Sequence, residues 1–296
     1  MNSSDSGKWT VEQPGRLDIE GPVRTLKLSV AQGRVNVIGT DGPASIEVTR
    51  ITEKPLRVTL SDGDLKVVHG DEYLSTVVDW LVSGHRQEIE LSLALPPDTV
   101  VDLNVISGAV VVSNLHERTT VRGVSGDITL AGVHGVAKVN TVSGTITAEQ
   151  VTGDIKVSAI SGPITVIAGA GGRIDLNTVS GALTLDLPDA VPDEVKLQCV
   201  SGDMTIRLPY APDVKVDLST AHGRVASAFP EISEKGWHLS RQLSGRIGAG
   251  SARLRGNTIS GAVTLLRRAE DELDAEFAEE FAGDWPATDQ KDEESR

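Results

Sequence analysis

Apolar and polar residues alternate in short runs along most of this chain, and the runs recur at a nearly constant interval. From residue 106 onward each run follows a Val/Ile-Ser-Gly triplet, as in VISGAVVV, GVSGDITL, TVSGTITA and AISGPITV. The triplet serines from Ser107 to Ser161 are spaced by eighteen positions, and the next two intervals are nineteen and twenty-one positions. Alternation with a period of 2 is typical of a strand with one buried face. Its recurrence at a fixed spacing predicts a stack of similar structural units.

Each repeat contains two short strands joined by corners, often glycine-rich, which predicts one coil of a β-solenoid per repeat. One strand follows the Ser-Gly pair, as in Ile128–Leu130, and the other precedes the next pair, as in Ala137–Thr141. Strands of successive coils would pair in parallel about 4.8 Å apart. We therefore predict an all-β fold, a β-solenoid whose coils each take eighteen to twenty-one residues of the chain.

The Ser-Gly pairs are predicted to be structural corners rather than a row of nucleophiles. Glycine suits a positive φ, and a serine hydroxyl can bond to nearby backbone groups. The pairs are Ser107 with Gly108, Ser125 with Gly126, Ser143 with Gly144, Ser161 with Gly162, Ser180 with Gly181, Ser201 with Gly202, and Ser260 with Gly261.

Alignment of the repeats predicts which side chains stack inside and outside the coils. The inner rows comprise Val110, Ile128, Ile146, Ile164, Leu183 and Met204; Val121, Val139, Val157, Leu176, Leu197 and Val216; and Gly123, Thr141, Ala159, Thr178 and Cys199. Cys199 is thus expected to be a core thiol. The outer rows include a threonine ladder (Thr129, Thr147, Thr165, Thr184, Thr205 and Thr264), a mainly lysine row, and a row of amide, serine and arginine side chains.

The remaining segments depart from the strict repeat. Residues 1–16 are predicted to be a flexible N-terminus, and 17–266 to form the solenoid. Within it, residues 17–105 are expected to form looser first coils or a β-sandwich cap, and 106–266 the Ser-Gly repeats. The pattern lapses between Ala226 and Arg246, where we expect a long loop or an irregular coil.

The C-terminal segment predicts an acidic amphipathic helix over residues 267–286, followed by a disordered acidic tail over 287–296. Its candidate interaction residues are Leu273, Phe277, Phe281 and Trp285, which recur every four residues. This helix is expected to cap the last coil, since exposed strand edges invite association. The alternative is that it binds a partner.

Charge is distributed unevenly between the body and this segment. The net charge is −14, and residues 270–296 hold twelve acidic and two basic side chains, a net charge of −10. The body is nearly neutral, which argues against a nucleic-acid partner. The sequence has no run of about 18 apolar residues that could insert into a membrane. It also lacks a recognisable signal peptide, so the expected location is cytoplasmic.

Motifs for nucleophilic, phosphate-binding or zinc chemistry are not found, and no cofactor is expected. His116 and His134 are weak candidates for a metal site, because their spacing of one full repeat should stack them in adjacent coils. No third ligand occupies the equivalent position of the next repeat, so turn histidines are the favoured interpretation and no metal is expected.

The run from about Ile89 to Leu266 resembles the bacterial "putative adhesin" β-strand-repeat family, a family of unknown function (DUF4097-like). The resemblance is carried by LALPPDTVVDLNVISGAV, by the VSGDITL-type turns, and by GRIGAGSARLRGNTISGAVTLL. It implies a β-solenoid-like fold and no established catalytic activity or functional residues.

The leading hypothesis is a non-enzymatic, adhesin-like solenoid that acts as a structural or protein-interaction scaffold. Its partner is expected to be another protein or a second copy of the chain. The alternative is a polysaccharide-acting right-handed β-helix enzyme, a lyase or hydrolase. That alternative requires carboxylates clustered on one outer row, and the aligned repeats show no such cluster.

Overall fold

The computed structural model describes residues 6–69, 88–168, 172–237 and 240–269, which form 24 β-strands and no helix. The predicted C-terminal helix and the acidic tail lie outside these residues. In chain order the strands are β1 (Ser6–Val11), β2 (Gly15–Asp18), β3 (Thr25–Gly39), β4 (Ser45–Ile51), β5 (Leu56–Ser61), β6 (Asp64–His69), β7 (Glu88–Leu95), β8 (Val100–Leu115), β9 (Thr119–Ser125), β10 (Ile128–Val133), β11 (Ala137–Ser143), β12 (Ile146–Val151), β13 (Ile155–Ser161), β14 (Ile164–Ala168), β15 (Arg173–Ser180), β16 (Leu183–Asp186), β17 (Glu194–Ser201), β18 (Met204–Leu208), β19 (Val214–His222), β20 (Val225–Ser227), β21 (Ile232–Trp237), β22 (Ser240–Ile247), β23 (Ala252–Ser260) and β24 (Val263–Arg267).

The strands coil into two faces that meet at the Ser-Gly corners. On face A, the strands that precede the corners pair in parallel in the order β9, β11, β13, β15, β17. On face B, the strands that follow the corners pair in the order β10, β12, β14, β16, β18. The long strands β3 and β8 contribute to both faces. The all-β prediction is confirmed, and the fold is a large coiled sheet of the solenoid type.

Strand register follows the aligned repeats through the middle of the molecule. One buried row of the core on face B consists of successive strand partners: Val110, Ile128, Ile146, Ile164, Leu183 and Met204. The predicted row ending at Val216 is wrong at its last member. Leu197 is followed by Gly256 and then by Leu218, because a strand from the end of the sequence lies between β17 and β19.

Both ends of the solenoid contain a coil inserted out of sequence order. At the C-terminal end, β23 and β24 lie between the coil of β17 and β18 and the coil of β19 and β20. At the N-terminal end, β3 lies between β8 and the coil of β6 and β7. The first and last coils of the sequence are therefore the penultimate coils in space.

Antiparallel strands close both ends of this stack. At the N-terminal end β5 and β1 extend face A, and β4 and β2 extend face B. The expected flexible N-terminus is therefore wrong from Ser6 onward, because β1 pairs with β5 and Trp9 packs against the core. Within residues 17–105, β3, β6, β7 and the first part of β8 form coils, and β4 and β5 are closing strands.

The segment from Ala226 to Arg246 is not the expected loop. It contains β20 and the hairpin of β21 and β22, and β22 pairs antiparallel with β19. Two of its own side chains, Phe229 and Ile232, are buried in the core. The eighteen-residue pattern lapses after β20 because β21 and β22 close face A in place of forming another coil.

The corner glycines are required for two separate reasons. Gly144 has a φ of 125°, a region that side chains rarely adopt. A Cβ built on it would also lie 2.1 Å from the carbonyl oxygen of Gly126 in the preceding coil. The same close approach recurs in the other Ser-Gly pairs, so these glycines set how closely successive coils stack.

A buried ion cluster fastens the inserted coil on face B. Arg268, just after β24, donates to both carboxylate oxygens of Asp186 at 3.0 and 3.1 Å. Arg207 donates to the same carboxylate. Burial alone would raise the pKa of Asp186, but the hydrogen bonds and positive charges of Arg207 and Arg268 hold that pKa below its ordinary value.

Candidate interaction face

Five aliphatic side chains form an exposed row on face A, immediately before the Ser-Gly corners. They are Val142, Ile160, Val179, Val200 and Ile259, with 43 to 53 % of their surface accessible. The residues on either side of each one are in register from coil to coil, so the five stack as neighbours. We call this row the aliphatic ladder. At about 4.8 Å per coil it is about 19 Å long.

The ladder depends on the alternation of the strand and on the corner that follows. Cys199 points inward and is buried, so Val200 must point outward. The chain turns at the next residue, Ser201, and Val200 remains 43 % exposed. A single exposed valine is ordinary, but a contiguous apolar strip on a monomer is typical of an interaction site.

The ladder continues towards the N-terminal end with less exposed members. Val124 and Ile106 are half-buried, and Ala31 at the next position is buried. These three residues, with residues of β3, β6, β8 and β9, line a groove of about 320 Å³. His69, in the same groove, is buried, and its Nε2 donates to the Lys54 carbonyl oxygen 3.1 Å away. Burial lowers the pKa of His69, so the ring stays neutral to lower pH than usual.

Polar rows run parallel to the ladder on the same face. The neighbouring row consists of hydrogen-bonding side chains: Asn140, Ser158, Asn177, Gln198 and Asn257. Beyond it lie charged residues, and strands β11, β13, β15, β17 and β23 together carry six basic side chains (Lys138, Lys156, Arg173, Lys196, Arg253 and Arg255) and two acidic ones (Asp175 and Glu194). These strands thus have a net charge of +4 within a chain of net charge −14.

The acidic residues on these strands are already engaged with basic neighbours. Asp175 lies 3.8 Å from the Lys156 ammonium, and Glu194 lies 3.2 Å from the Arg173 guanidinium. Face A therefore combines an apolar row, an amide row and a third, in-register row that is basic except at Asp175. This third row, which we call the basic row, consists of Lys138, Lys156, Asp175, Lys196 and Arg255. This arrangement suits recognition of an extended or helical segment that is apolar on one side and acidic on the other.

The aligned repeats contain a signal for the ladder that the sequence-based prediction misses. The predicted inner and outer rows leave out the Val or Ile of each triplet. Side chains alternate between the two sides of a strand, so this Val or Ile must point outward. The residue before it (Thr141, Ala159, Thr178 or Cys199) belongs to an inner row. Apolar residues are so often buried that an outward aliphatic position is easily overlooked.

The predicted corner residues lie at the junction of the two faces. Their serines are successive partners from Ser107 to Ser201, and Ser201 then pairs with Ser260. The Ser143 hydroxyl donates to the Val124 carbonyl at 3.3 Å, a bond to a neighbouring coil. The predicted interaction residues Leu273, Phe277, Phe281 and Trp285 lie outside the described residues.

The two candidate histidines stack in adjacent coils, with ring centroids 5.2 Å apart. His116 Nδ1 lies 3.2 Å from an Asp98 carboxylate oxygen, and His134 Nδ1 lies 2.9 Å from the Thr152 hydroxyl. Both Nδ1 atoms are thus engaged within the protein. Among the described residues no group of three His, Cys, Asp or Glu side chains is placed to hold a metal ion.

Cys199 and the threonine ladder occupy the positions expected of them. Cys199 is buried, and burial raises the pKa of its thiol, which keeps it protonated and unreactive. The threonines form an in-register, half-exposed row on face B, whereas the aliphatic ladder lies on face A. No helix in the described part of the chain is long and apolar enough to cross a membrane.

Fold and face together define a β-solenoid with an exposed aliphatic row along its length. The chain belongs to the Toastrack DUF4097 family, whose model matches residues 2–266. It is similar to a solved structure of a "putative cell adhesion protein" from Clostridium sporogenes, with 12 % identity and a TM-score of 0.24, over 89 % of this chain and 100 % of that one. A likeness at that TM-score adds no argument about fold or role. No curated protein matches the chain.

Proposed function

We propose that this protein is a non-enzymatic interaction scaffold, and that face A binds a polypeptide segment with an apolar side and an acidic side. The observation that carries the proposal is the aliphatic ladder. Five exposed Val and Ile side chains in consecutive coils are the largest described set of exposed aliphatic residues in one row. They contribute little to the core, so their recurrence needs another explanation.

The flanking rows support the same class of partner. The amide row next to the ladder offers donors and acceptors for a polypeptide backbone or for polar side chains. The basic row beyond it attracts acidic residues and speeds their association at low ionic strength. A groove of about 320 Å³ at the end of the ladder provides a deeper position for one apolar side chain.

Site-specific photo-crosslinking in the native host tests this function. A photoreactive phenylalanine analogue at position 179, in the ladder, should cross-link to a discrete protein. The same analogue at position 165, in the threonine ladder of face B, is the matched control and should not. Mass spectrometry of the cross-linked peptide identifies the bound segment.

The expected segment carries apolar residues and clustered Asp or Glu. Ile160→Glu should abolish the cross-link from position 179, because the substitution places a negative charge in the adjacent rung. Equal cross-linking from positions 165 and 179, or insensitivity to Ile160→Glu, would refute a specific role for the ladder.

The polysaccharide-acting alternative gains no support from a specific observation. It needs three or more carboxylates converging in one groove. The groove formed by Gln32, Arg34, Glu88, Glu90 and Ser107 contains two, and both lie within 3.7 Å of Arg50.

A further inference from the structure

The composition of face A matches a segment of the same chain. Residues 270–285 contain eight acidic side chains and no basic one, and Leu273, Phe277, Phe281 and Trp285 recur every four residues among them. A segment with that spacing presents its apolar residues along one side when helical and its acids around the rest. It has the two properties that the ladder and the basic row would select.

We propose that the acidic C-terminal segment binds the aliphatic ladder of its own chain. This inference rests on the proposed function, because it names an occupant of the same face. The apolar side chains Phe277, Phe281 and Trp285 contact the ladder, and the acids beside them face the basic row of face A.

The charge balance favours this contact over the rest of the molecular surface. The five ladder strands carry a net charge of +4, whereas residues 1–269 together carry −4, so the rest of the body carries −8. A segment with eight negative charges is repelled by an acidic surface and attracted to a basic one, with the effect decreasing beyond about 10 Å at 0.1 M salt. Face A is the basic surface that also offers exposed aliphatic residues.

The length of the chain permits binding within one molecule. The last described residue, Ala269, is ten positions from Ile259, the end rung of the ladder, so the two are at most about 36 Å apart. Residues 270–285 span about 24 Å as a helix and up to about 55 Å extended. A wholly helical segment falls short of the limit of about 36 Å, but residues 270–276 in extended form (about 24 Å) followed by a helix over 277–285 (about 13 Å) reach the ladder.

Tethering gives this contact an advantage over a separate partner. A short linker raises the effective concentration of the segment near the face to the millimolar range. An external ligand of face A must then displace the tail, and its apparent affinity falls in proportion to the fraction of uncovered face. The tail would limit binding to partners that compete strongly for the ladder.

Fluorine NMR of the full-length protein tests the proposal. 5-Fluorotryptophan labels Trp9, Trp80, Trp237 and Trp285, and Trp285→Phe assigns the relevant signal. In the unsubstituted protein we expect the Trp285 signal to be broad and displaced from its position in urea. Val179→Glu should return it towards the urea position, with at least a tenfold loss in the equilibrium constant for docking.

Thr165→Glu, which adds the same charge on face B, is the matched control and should leave the Trp285 signal displaced. Val179→Thr keeps the volume of the side chain and removes one apolar methyl group, so it tests the ladder if the Glu variant unfolds. Raising the salt concentration from about 0.05 to about 0.5 M should also weaken docking, because part of the attraction is electrostatic.

Three outcomes would overturn the proposal. The first is a Trp285 signal at its urea position in the unsubstituted protein. The second is a displaced signal that no ladder substitution changes, which would place the segment elsewhere, as in the predicted cap. The third is a displacement lost on dilution together with dimers in sedimentation, which would mean exchange between copies. Cross-links from position 179 to another protein would uphold the proposed function in each case.

Discussion

Single glycines decide how closely the coils of this protein can stack. At Gly144 both the positive φ and the contact with the Gly126 carbonyl exclude a side chain. Gly132 has a positive φ of 60°, but a Cβ there would meet no atom closer than 3.9 Å. The two positions therefore separate a backbone effect from a stacking effect. The glycine of every Ser-Gly corner combines both effects, as Gly144 does.

We predict that Gly144→Ala lowers the free energy of unfolding by at least about 3 kcal/mol, since strain and a clash with backbone add together. Gly132→Ala should cost about 1 kcal/mol, the strain alone. Urea unfolding of the two variants measures the difference. Equal losses would mean that the neighbouring coil yields to the new methyl group.

Asp186 gives the protein a pH-dependent element of stability. Its pKa is lower in the folded protein than in the unfolded chain, so its contribution is complete above the unfolded pKa of about 3.9 and is lost as the pH falls through the folded pKa. We predict that Asp186→Asn costs about 3 kcal/mol at pH 7, because it removes the carboxylate that accepts two hydrogen bonds from the buried Arg268 guanidinium.

The difference between the unsubstituted protein and Asp186→Asn should be constant above about pH 5 and shrink below about pH 4. Urea unfolding from about pH 2.5 to about pH 8 measures it. Asp175→Asn, on the more exposed Lys156 pair, is the control and should change stability by less than about 1 kcal/mol. A difference that stays constant down to the lowest pH would contradict the assignment.

At the scale of one strand, burial alternates so sharply that neighbouring apolar residues have different roles. In β13, Val157 is fully buried and Ile160 is 53 % exposed. We predict that Val157→Thr lowers the free energy of unfolding by about 2 kcal/mol, because a hydroxyl enters an apolar core. Ile160→Thr should change it by no more than about 0.5 kcal/mol, as is usual for a surface position.

Thermal or urea unfolding of these two variants measures both values. A large loss for Ile160→Thr would show that the ladder stabilises the fold itself, and would weaken the case for an interaction face. The comparison is informative because the two residues belong to one strand and both become threonine.

Strand positions and core rows in the middle of the molecule could be predicted from the sequence, because equal spacing converts directly into register. The pairing of Val110 with Ile128, and of Ile128 with Ile146, follows directly from their spacing of eighteen residues. The end coils could not be ordered, since β19 and β23 both alternate well and nothing local distinguishes the partner of Leu197. That choice depends on Gly256, which fits between Leu218 and Met204. The outward position of the aliphatic ladder could be predicted from the alternation of side chains along each strand. It was missed because apolar residues are usually expected to be buried.

At the scale of the whole molecule, the inserted coils couple segments that are distant in sequence. β17 and β19 do not pair with each other, but both pair with β23. A Cβ at Gly256 would lie 2.6 Å from the Leu218 side chain and 2.8 Å from Met204 Sδ. We predict that Gly256→Val increases amide hydrogen exchange in both β17 and β19, by tenfold or more, while β11 is unchanged.

Mass spectrometry of peptic fragments resolves these three strands. Ser158→Val, at an outward position on face A, is the control for adding a branched side chain to a face A strand. Increased exchange in β17 alone, with β19 unaffected, would contradict the insertion of β23 between them.

The inserted coils also restrict how a molecule of this kind can change its length. A duplication of one whole repeat between Thr119 and Ser180 would join a uniform stack, because both of its neighbours present the same rows. A duplication at either end would separate two segments that must meet across the inserted coil. Descendants of such a gene, and designed variants alike, can lengthen or shorten the aliphatic ladder only from the interior, one rung at a time, while both termini keep the same closing structure.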